Sequence, residues 1–346
     1  MRKEVREMRV TTVVMPTYNA SVCLQASLHS IFAQTSLPKE IVIVDDCSKD
    51  NTLKVASDLA STSPVPIRII QLPVNSGGPA RPLNTGIEAA TTENIAVLEQ
   101  DDEMPPDRLR LHEEALRRFP DCLLSFGRFR LIGKPARATE RLFYDPDRQL
   151  ELLGVSSDTP FVCIPSSDLF PIVLNQHVAI SNSNLYFTKR LWKIVGGFDP
   201  NVRMVSDWKF LLAASRHSAA AFVNDFCLIY RYADDSLCRI GDDSDWKEEL
   251  KFVHVLKLKR PELIGLMWWR EYWLRRHHVS ASLRNGHPIE AVKSIWLLVR
   301  TGALLHHLRN RHSHGEWADA PSAEHILAST RQTAAAKVDS SPTEQQ

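Results

Sequence analysis

Short apolar runs alternate with segments whose apolar positions recur every three to four residues through the first hundred residues. Val10–Met15 is an apolar, β-branched run. Ala20 to Gln34 follows, with Leu24, Leu28, Ile31 and Phe32 at helical spacing. Ile41–Asp45 is a second run, before a helical face of Leu53, Ala56, Leu59 and Ala60. Pro66–Leu72 reads as a third strand, and Pro79 to Ala90 as a helix with Leu83, Ile87 and Ala90 on one side. Ile95–Leu98 reads as a fourth strand. Short, uniformly apolar strands are buried on both faces, and helices between them act as right-handed crossovers. The pattern therefore predicts an α/β domain built on a parallel sheet.

Past Asp107 the pattern changes. A helix is expected through Leu109, Leu116 and Phe119, then mixed strands and loops to about Tyr232, among them Leu123–Ile132 and Ala221–Tyr230. Trp246 to Leu308 reads as helical and is rich in Trp and Arg. From Ser313 the chain turns to Ser, Ala, Thr and Gln and ends SSPTEQQ, a composition expected to stay disordered. There is no internal repeat.

Composition narrows the function classes. Of 346 residues, 44% are hydrophobic and 24% charged, enough apolar material for a sizeable core. The formal net charge is +1, so no overall field argues for a nucleic-acid partner. Cys23, Cys47, Cys122, Cys163, Cys227 and Cys238 are dispersed with no C-x-x-C pair, which predicts reduced, mostly buried thiols in a cytoplasmic protein and no zinc site. Met1 to Arg9 lacks the apolar core of a signal peptide, and no stretch of 18 apolar residues predicts a membrane span.

Ligands of open parallel sheets sit beyond the carboxyl ends of the strands. The residues there are Pro16, Thr17, Tyr18 and Asn19 after the first run and Asp45 and Asp46 after the second. Asn75, Ser76, Gly77, Gly78 and Arg81 follow the third, and Glu99, Gln100, Asp101 and Asp102 the fourth. Clustered carboxylates repel unless a cation lies among them, and oxygen ligands suit Mg²⁺ or Mn²⁺. Such a cation would bridge nucleotide phosphates, Arg81 could neutralise the remainder, and the Tyr18 ring could stack on a base. Each piece alone has a plainer meaning. Pro16-Thr17 could be a strand-ending turn, Asp45-Asp46 a turn and helix cap, Gly77-Gly78-Pro79 a loop into a helix, and Glu99–Asp102 a solvated acidic loop. Their joint order and spacing give the signal.

With VVMPTYN at Val13–Asn19, IVIVDDCSKDNT at Ile41–Thr52, NSGGPARPLNTGIEAA at Asn75–Ala90 and LEQDDEMPPDRL at Leu98–Leu109, the chain resembles glycosyltransferase family 2. GGFDP at Gly196–Pro200 and SDW at Ser206–Trp208 resemble the acceptor half of the same pattern. The resemblance implies a GT-A fold: a Rossmann-like, mostly parallel central sheet flanked by helices, followed by a C-terminal helical extension. It implies a catalytic domain over 9–235, divided into a nucleotide-binding half (9–107) and an acceptor half (108–235). A helical extension (236–312) and the tail (313–346) would follow. Pro16, Thr17, Tyr18, Asn19, Asp45, Asp46, Gly77, Arg81, Glu99, Gln100 and Asp101 would bind the donor. Asp101 and Asp102 would hold Mn²⁺ or Mg²⁺, and Asp207 would be the general base.

The implied activity is metal-assisted, inverting transfer of a sugar, with UDP as the favoured nucleotide, in polysaccharide biosynthesis. The acceptor would be a glycan, a lipid-linked or a small-molecule hydroxyl. Three positions depart from the family pattern: Glu99 stands for the first acid of the DXD motif, Ser206 precedes the base, and Ala233 follows Tyr230-Arg231-Tyr232 where a histidine is frequent. The processive Q-x-x-R-W motif is absent, so one sugar per binding event is expected. A GT-A domain that binds nucleotide or glycan without catalysis is the competing reading. Asp207 taken alone could be an N-cap for a helix over 208–215. The Met267–Arg276 segment reads first as a helix packing its Trp face, with peripheral membrane contact over 267–308 as the alternative. His306, His307, His312 and His314 read as a solvated run.

Overall fold

The computed structural model describes residues 10–133, 147–231, 244–259, 267–284 and 286–300. Contacts divide the chain into two compact units. One comprises 1–135, 157–166 and 179–233, and the other 136–156, 167–178 and 234–346. The expected tail (313–346), the His306–His314 run and Ala233 lie outside the described residues.

The first unit is built on an eight-stranded sheet of β1 (Thr11–Thr17), β2 (Glu40–Asp45), β3 (Ile67–Gln71), β4 (Asn94–Val97), β5 (Cys122–Ile132), β6 (Phe161–Ile164), β7 (Tyr186–Thr188) and β8 (Ala219–Arg231). Their order across the sheet is β3-β2-β1-β4-β7-β5-β8-β6. Pairing is parallel from β3 to β4 and between β5 and β8, and β7 and β6 run antiparallel to their neighbours. Helices α1 (Leu24–Phe32), α2 (Thr52–Thr62), α3 (Ala80–Ala89) and α4 (Arg108–Arg118) connect and cover the strands. Val13, Met15, Ile41 and Ile43 point into a core with Leu24, Leu28, Ile31 and Ala56, while Val14 and Val44 on the opposite face meet Gly86 of α3. This period-two alternation buries both faces and accounts for the uninterrupted apolar runs.

Several boundaries differ from the expectation. Pro16 and Thr17, expected just after the first strand, are the last two residues of β1, paired with Val44 and Asp45. A proline is tolerated in this central strand because pairing to β4 ends at Val14 with Val97, before Pro16 would need an N–H on that side. The helix expected from Ala20 begins at Leu24, after a turn in which Cys23 N and Leu24 N donate to Ala20 O. Of the five described cysteines, none in a disulfide, only Cys122 and Cys227 are buried, so "mostly buried" does not hold among them.

α7 (Lys189–Val195) and α8 (Ser206–Ala214) complete the first unit. Residues Ser166–Asn175 form α6, and α5 is Arg148–Leu153. The helical character expected over 246–308 is seen in α9 (Ser244–Lys259), α10 (Trp268–Arg284) and α11 (Pro288–Arg300), with 260–266, 285 and 301–308 outside the described residues. In α10, Tyr272 and Leu274 are buried, as is Met267 just before it. The side chains of Trp268, Trp269 and Trp273 are outside the described set. No described helix is long and apolar enough to cross a membrane.

Candidate active site

The loops leaving β1, β2, β3 and β4 are tied to one another by side chain to backbone hydrogen bonds. Asp46 N donates to Thr17 O at 2.7 Å, continuing the β1–β2 ladder one step past the strands. The Gln100 carboxamide clamps Tyr18: its Oε1 accepts from Tyr18 N at 2.6 Å and its Nε2 donates to Tyr18 O at 3.2 Å. Asn19 N donates to Ser48 Oγ, and Asn19 Oδ1 accepts from Lys49 N, both at 2.9 Å. These contacts leave the side chain of Tyr18 exposed at the carboxyl edge of the sheet, beside an exposed Asn19.

The two acids after β2 are enclosed. Asp45 is fully buried, and its carboxylate accepts from Ser48 N at 2.9 Å and from the Ser48 hydroxyl. The buried Asp46 carboxylate accepts from Ser76 N at 2.9 and 3.0 Å and from Ser76 Oγ at 2.9 Å, fastening the β3–α3 loop to β2. Gly77 is exposed at the tip of that loop, and its N–H donates to Asn75 Oδ1 at 2.9 Å. Arg81 is exposed in the first turn of α3.

The acids after β4 sit differently. Glu99 N donates to Ser183 Oγ at 2.9 Å, and the Glu99 carboxylate accepts from Ser181 Oγ at 3.0 Å and Asn182 Nδ2 at 3.2 Å. Burial, and then the adjacent Asp101 charge, push Glu99 up to about 7, outweighing those two hydrogen bonds. Asp102 accepts from Arg231 N at 3.0 Å through Oδ1, while Oδ2 is buried without a well-formed hydrogen bond. Burial first, then Asp101 and Glu99, hold Asp102 well above the usual carboxylate range, and the Ser183 hydroxyl and Arg231 amide pull it down less strongly. Glu103 pins the turn to β8 through paired backbone bonds with Ile229 and an ion pair with Arg231. Among the described residues, no group of three or more His, Cys, Asp and Glu side chains is placed to hold a metal ion.

Asp207 lies in the first turn of α8, one position inside the helix. The N-cap position belongs to Val205, and Asp207 Oδ1 accepts from Trp208 N at 2.7 Å. The acceptor motif ahead of it is latched to α3 by Asn84, whose Oδ1 accepts from Phe198 N at 2.9 Å and Trp192 Nε1 at 3.0 Å and whose Nδ2 donates to Phe198 O at 2.7 Å. Gly197, at φ 79°, makes this latch close: a methyl group there would lie 2.8 Å from Asn84 Oδ1. At Gly78 a methyl would come within 3.3 Å of Arg203 Cα, so the chain leading into α8 runs against the β3–α3 loop.

Backbone strain gathers at the same edge. Among the described residues, the only non-glycine positions with positive φ are Asn19 (51°), Cys47 (63°) and Ile180 (70°). They follow Tyr18 and Asp46 and precede Ser181. A β-branched residue in this region is unfavourable by roughly 1–3 kcal/mol, a cost found where surrounding structure over-determines a functional turn.

Residues 12–165 match the family model described as Glycosyl transferase family 2. Over that stretch the chain is similar to glycosyl transferase family 2. Among curated relatives it is 33% identical over 102 residues to poly(ribitol-phosphate) beta-N-acetylglucosaminyltransferase TarS of Staphylococcus aureus, 29% of this chain and 17% of TarS. It is 41% identical over 100 residues to the succinoglycan biosynthesis protein ExoO of Rhizobium meliloti, 29% of this chain and 27% of ExoO. The chain thus spans well under a third of the length of these relatives. The solved structure of S. aureus TarS 1–349 in complex with UDP-GlcNAc superposes with a TM-score of 0.60 at 16% identity, covering 97% of this chain and 93% of that one. That likeness establishes a shared GT-A-type fold.

Within the matched residues, the contacts above join Thr17 to Asp46 and Tyr18 to Gln100, and hold Glu99 on Ser181, Asn182 and Ser183. The residues that join them were not legible as motifs. Ser76 completes Asp46, Ser181, Asn182 and Ser183 hold Glu99, and Asn84 holds the acceptor motif. The buried Arg108, brought down to about 10 by burial and partly restored by Cys227 and Asp102, donates from Nη2 to Val97 O at 3.0 Å beneath the acidic turn. Ser76, Asn84 and Arg108 lay inside quoted motifs, with no feature marking the contacts they make.

Proposed function

We propose that this chain transfers a sugar from a UDP-sugar to an acceptor hydroxyl, with inversion and one sugar per binding event. The observation that carries this reading is the cross-linking of the β1, β2, β3 and β4 exits at one strained, polar edge. The UDP-GlcNAc complex of the similarly folded TarS supports a UDP-sugar as donor. Tyr18 and Asn19 face base and ribose, with Pro16, Thr17, Asp45 and Asp46 building the floor behind them. Gly77 lets the loop approach the ligand. Arg81 and the amino end of α3 supply positive charge to the diphosphate. Glu99 lies towards the ribose, held by Ser181 and Asn182.

The donor set fits Mn²⁺ or Mg²⁺ held in part by the protein. Asp102 Oδ2 is buried without a well-formed hydrogen bond, and Glu99 and Asp102 are held towards protonation beside Asp101, a state that a cation would relieve. With no three described ligand side chains grouped, Asp101 and Asp102 would contribute one or two carboxylates, phosphates and water completing the shell. Bound there, the cation supplies charge neutralisation to the departing diphosphate.

Asp207 accepts the acceptor hydroxyl proton as that oxygen attacks the anomeric carbon and the bond from that carbon to the diphosphate oxygen breaks. Its Oδ1 bond from Trp208 N orients the carboxylate. The test is transfer from UDP-sugars by the purified chain, with UDP binding followed by calorimetry. Asp207→Asn is expected to lower transfer by about 10²–10⁴-fold with UDP binding unchanged. Transfer at the wild-type rate would remove Asp207 as base, and absence of binding to any UDP-sugar would remove the donor assignment.

A further inference from the structure

α11 carries two apolar faces. Ala291, Ser294 and Leu298 are buried on one side, and α11 packs against α10. On the other, Ile289, Val292, Ile295, Trp296 and Val299 are exposed, Ile289 by 71% and Trp296 by 55%. At 3.6 residues per turn, the exposed five fall within an arc of about 120°. Lys293 and Arg300 lie within about 40° of one edge of that arc. The Arg300 guanidinium sits 5.0 Å from the Trp296 ring centroid. The one acid of the helix, Glu290, points towards α10, with Oε2 3.6 Å from His278 Nε2. From Ala291 to Gly315 the sequence has no Asp or Glu, while Lys293, Arg300, Arg309 and Arg311 are basic.

From this arrangement we infer that the outer face of α11 docks on an anionic lipid bilayer. An apolar arc with a Trp and a cationic rim is what an interfacial helix presents to the boundary between headgroups and acyl chains. A second copy is the poorer occupant: a two-fold contact places the same patch against itself and brings Lys293 and Arg300 of both copies together with no acid to offset them. The surface would hold the chain at a membrane without a span, independently of the chemistry proposed for the first unit.

The test is flotation of the purified full chain with vesicles of phosphatidylglycerol and phosphatidylcholine in equal parts, against phosphatidylcholine alone. The chain should float with the anionic vesicles, bind the neutral ones at least about tenfold less, and be released by salt. Val292→Glu/Ile295→Glu should lower anionic binding at least about tenfold. Lys293→Gln and Arg300→Gln should each lower it about fivefold and keep the fold, so they serve if the double variant does not fold. Failure of the wild-type chain to float would overturn the proposal, as would equal flotation of Val292→Glu/Ile295→Glu. So would a wild-type dimer that Val292→Glu/Ile295→Glu dissolves, which would assign the face to a contact between copies.

Discussion

Asp45 and Asp46 follow β2, and Glu99, Asp101 and Asp102 follow β4, two acidic turns on neighbouring exits of one sheet. After β2 each carboxylate is met by protein donors, Ser48 for Asp45 and Ser76 for Asp46. After β4 the acids face each other. Glu99 receives only two neutral side-chain donors, Asp102 keeps one buried oxygen without a well-formed bond, and both are driven upward. Similar residues thus serve two ends. The first turn is closed by hydrogen bonds and acts as architecture, whereas the second retains electrostatic tension that a proton or a cation relieves.

That contrast can be broken experimentally. The largest effect is expected for Asp101→Asn, which should lower transfer by about a hundredfold or more and weaken the response to Mn²⁺. An unchanged metal response would place the cation elsewhere. Asp46→Ala should instead act on folding. It strands Ser76 N and Oγ and should cost about 1–3 kcal/mol in chemical denaturation, leaving the metal dependence of any residual activity intact.

Glu99 sets a pH signature. Its folded value, about 7, lies above the usual 4.5, so the folded state holds the extra proton between those values. Stability from this group is complete below about 4.5 and is lost as pH rises through about 7, a fall of about 3 kcal/mol in metal-free protein. Glu99→Gln should flatten that fall in thermal melts from pH 4 to 8, as should Mn²⁺ with UDP. An unaltered slope in the variant would assign the titration to another group. The smallest effect is expected at Cys47, whose φ of 63° suits glycine. Cys47→Gly should stabilise by about 1 kcal/mol or less, measured by urea midpoint.

The strand order along the chain, the acidic exits and the acceptor motif were legible because each depends on local pattern. Apolar runs of strand length, helical spacing in Leu24–Phe32 and polar residues at every strand exit are properties of adjacent residues. The helical character of 246–308 was legible too, while its division into α9, α10 and α11 among the described residues was not. Pro16 and Thr17 fall inside β1 rather than just after it, because the permission for proline there comes from where β4 stops pairing, which no property of Val13–Asn19 reveals. The positive φ of Ile180 and the role of Ser181–Ser183 had no sequence cue, since Ser181 meets Glu99 across a separation of 82 residues.

By itself the sequence determined the class of the fold, the β1–β4 succession and which residues would stand at the strand exits, because backbone periodicity and burial are settled by nearest neighbours along the chain. Tertiary structure alone decided which of those acids are quenched and which stay poised. Asp46 meets its donor 30 residues on, and Asp102 meets Arg231 at a separation of 129. Charge states in a folded protein depend on distance and dielectric around each group, and those exist only after remote segments have packed together.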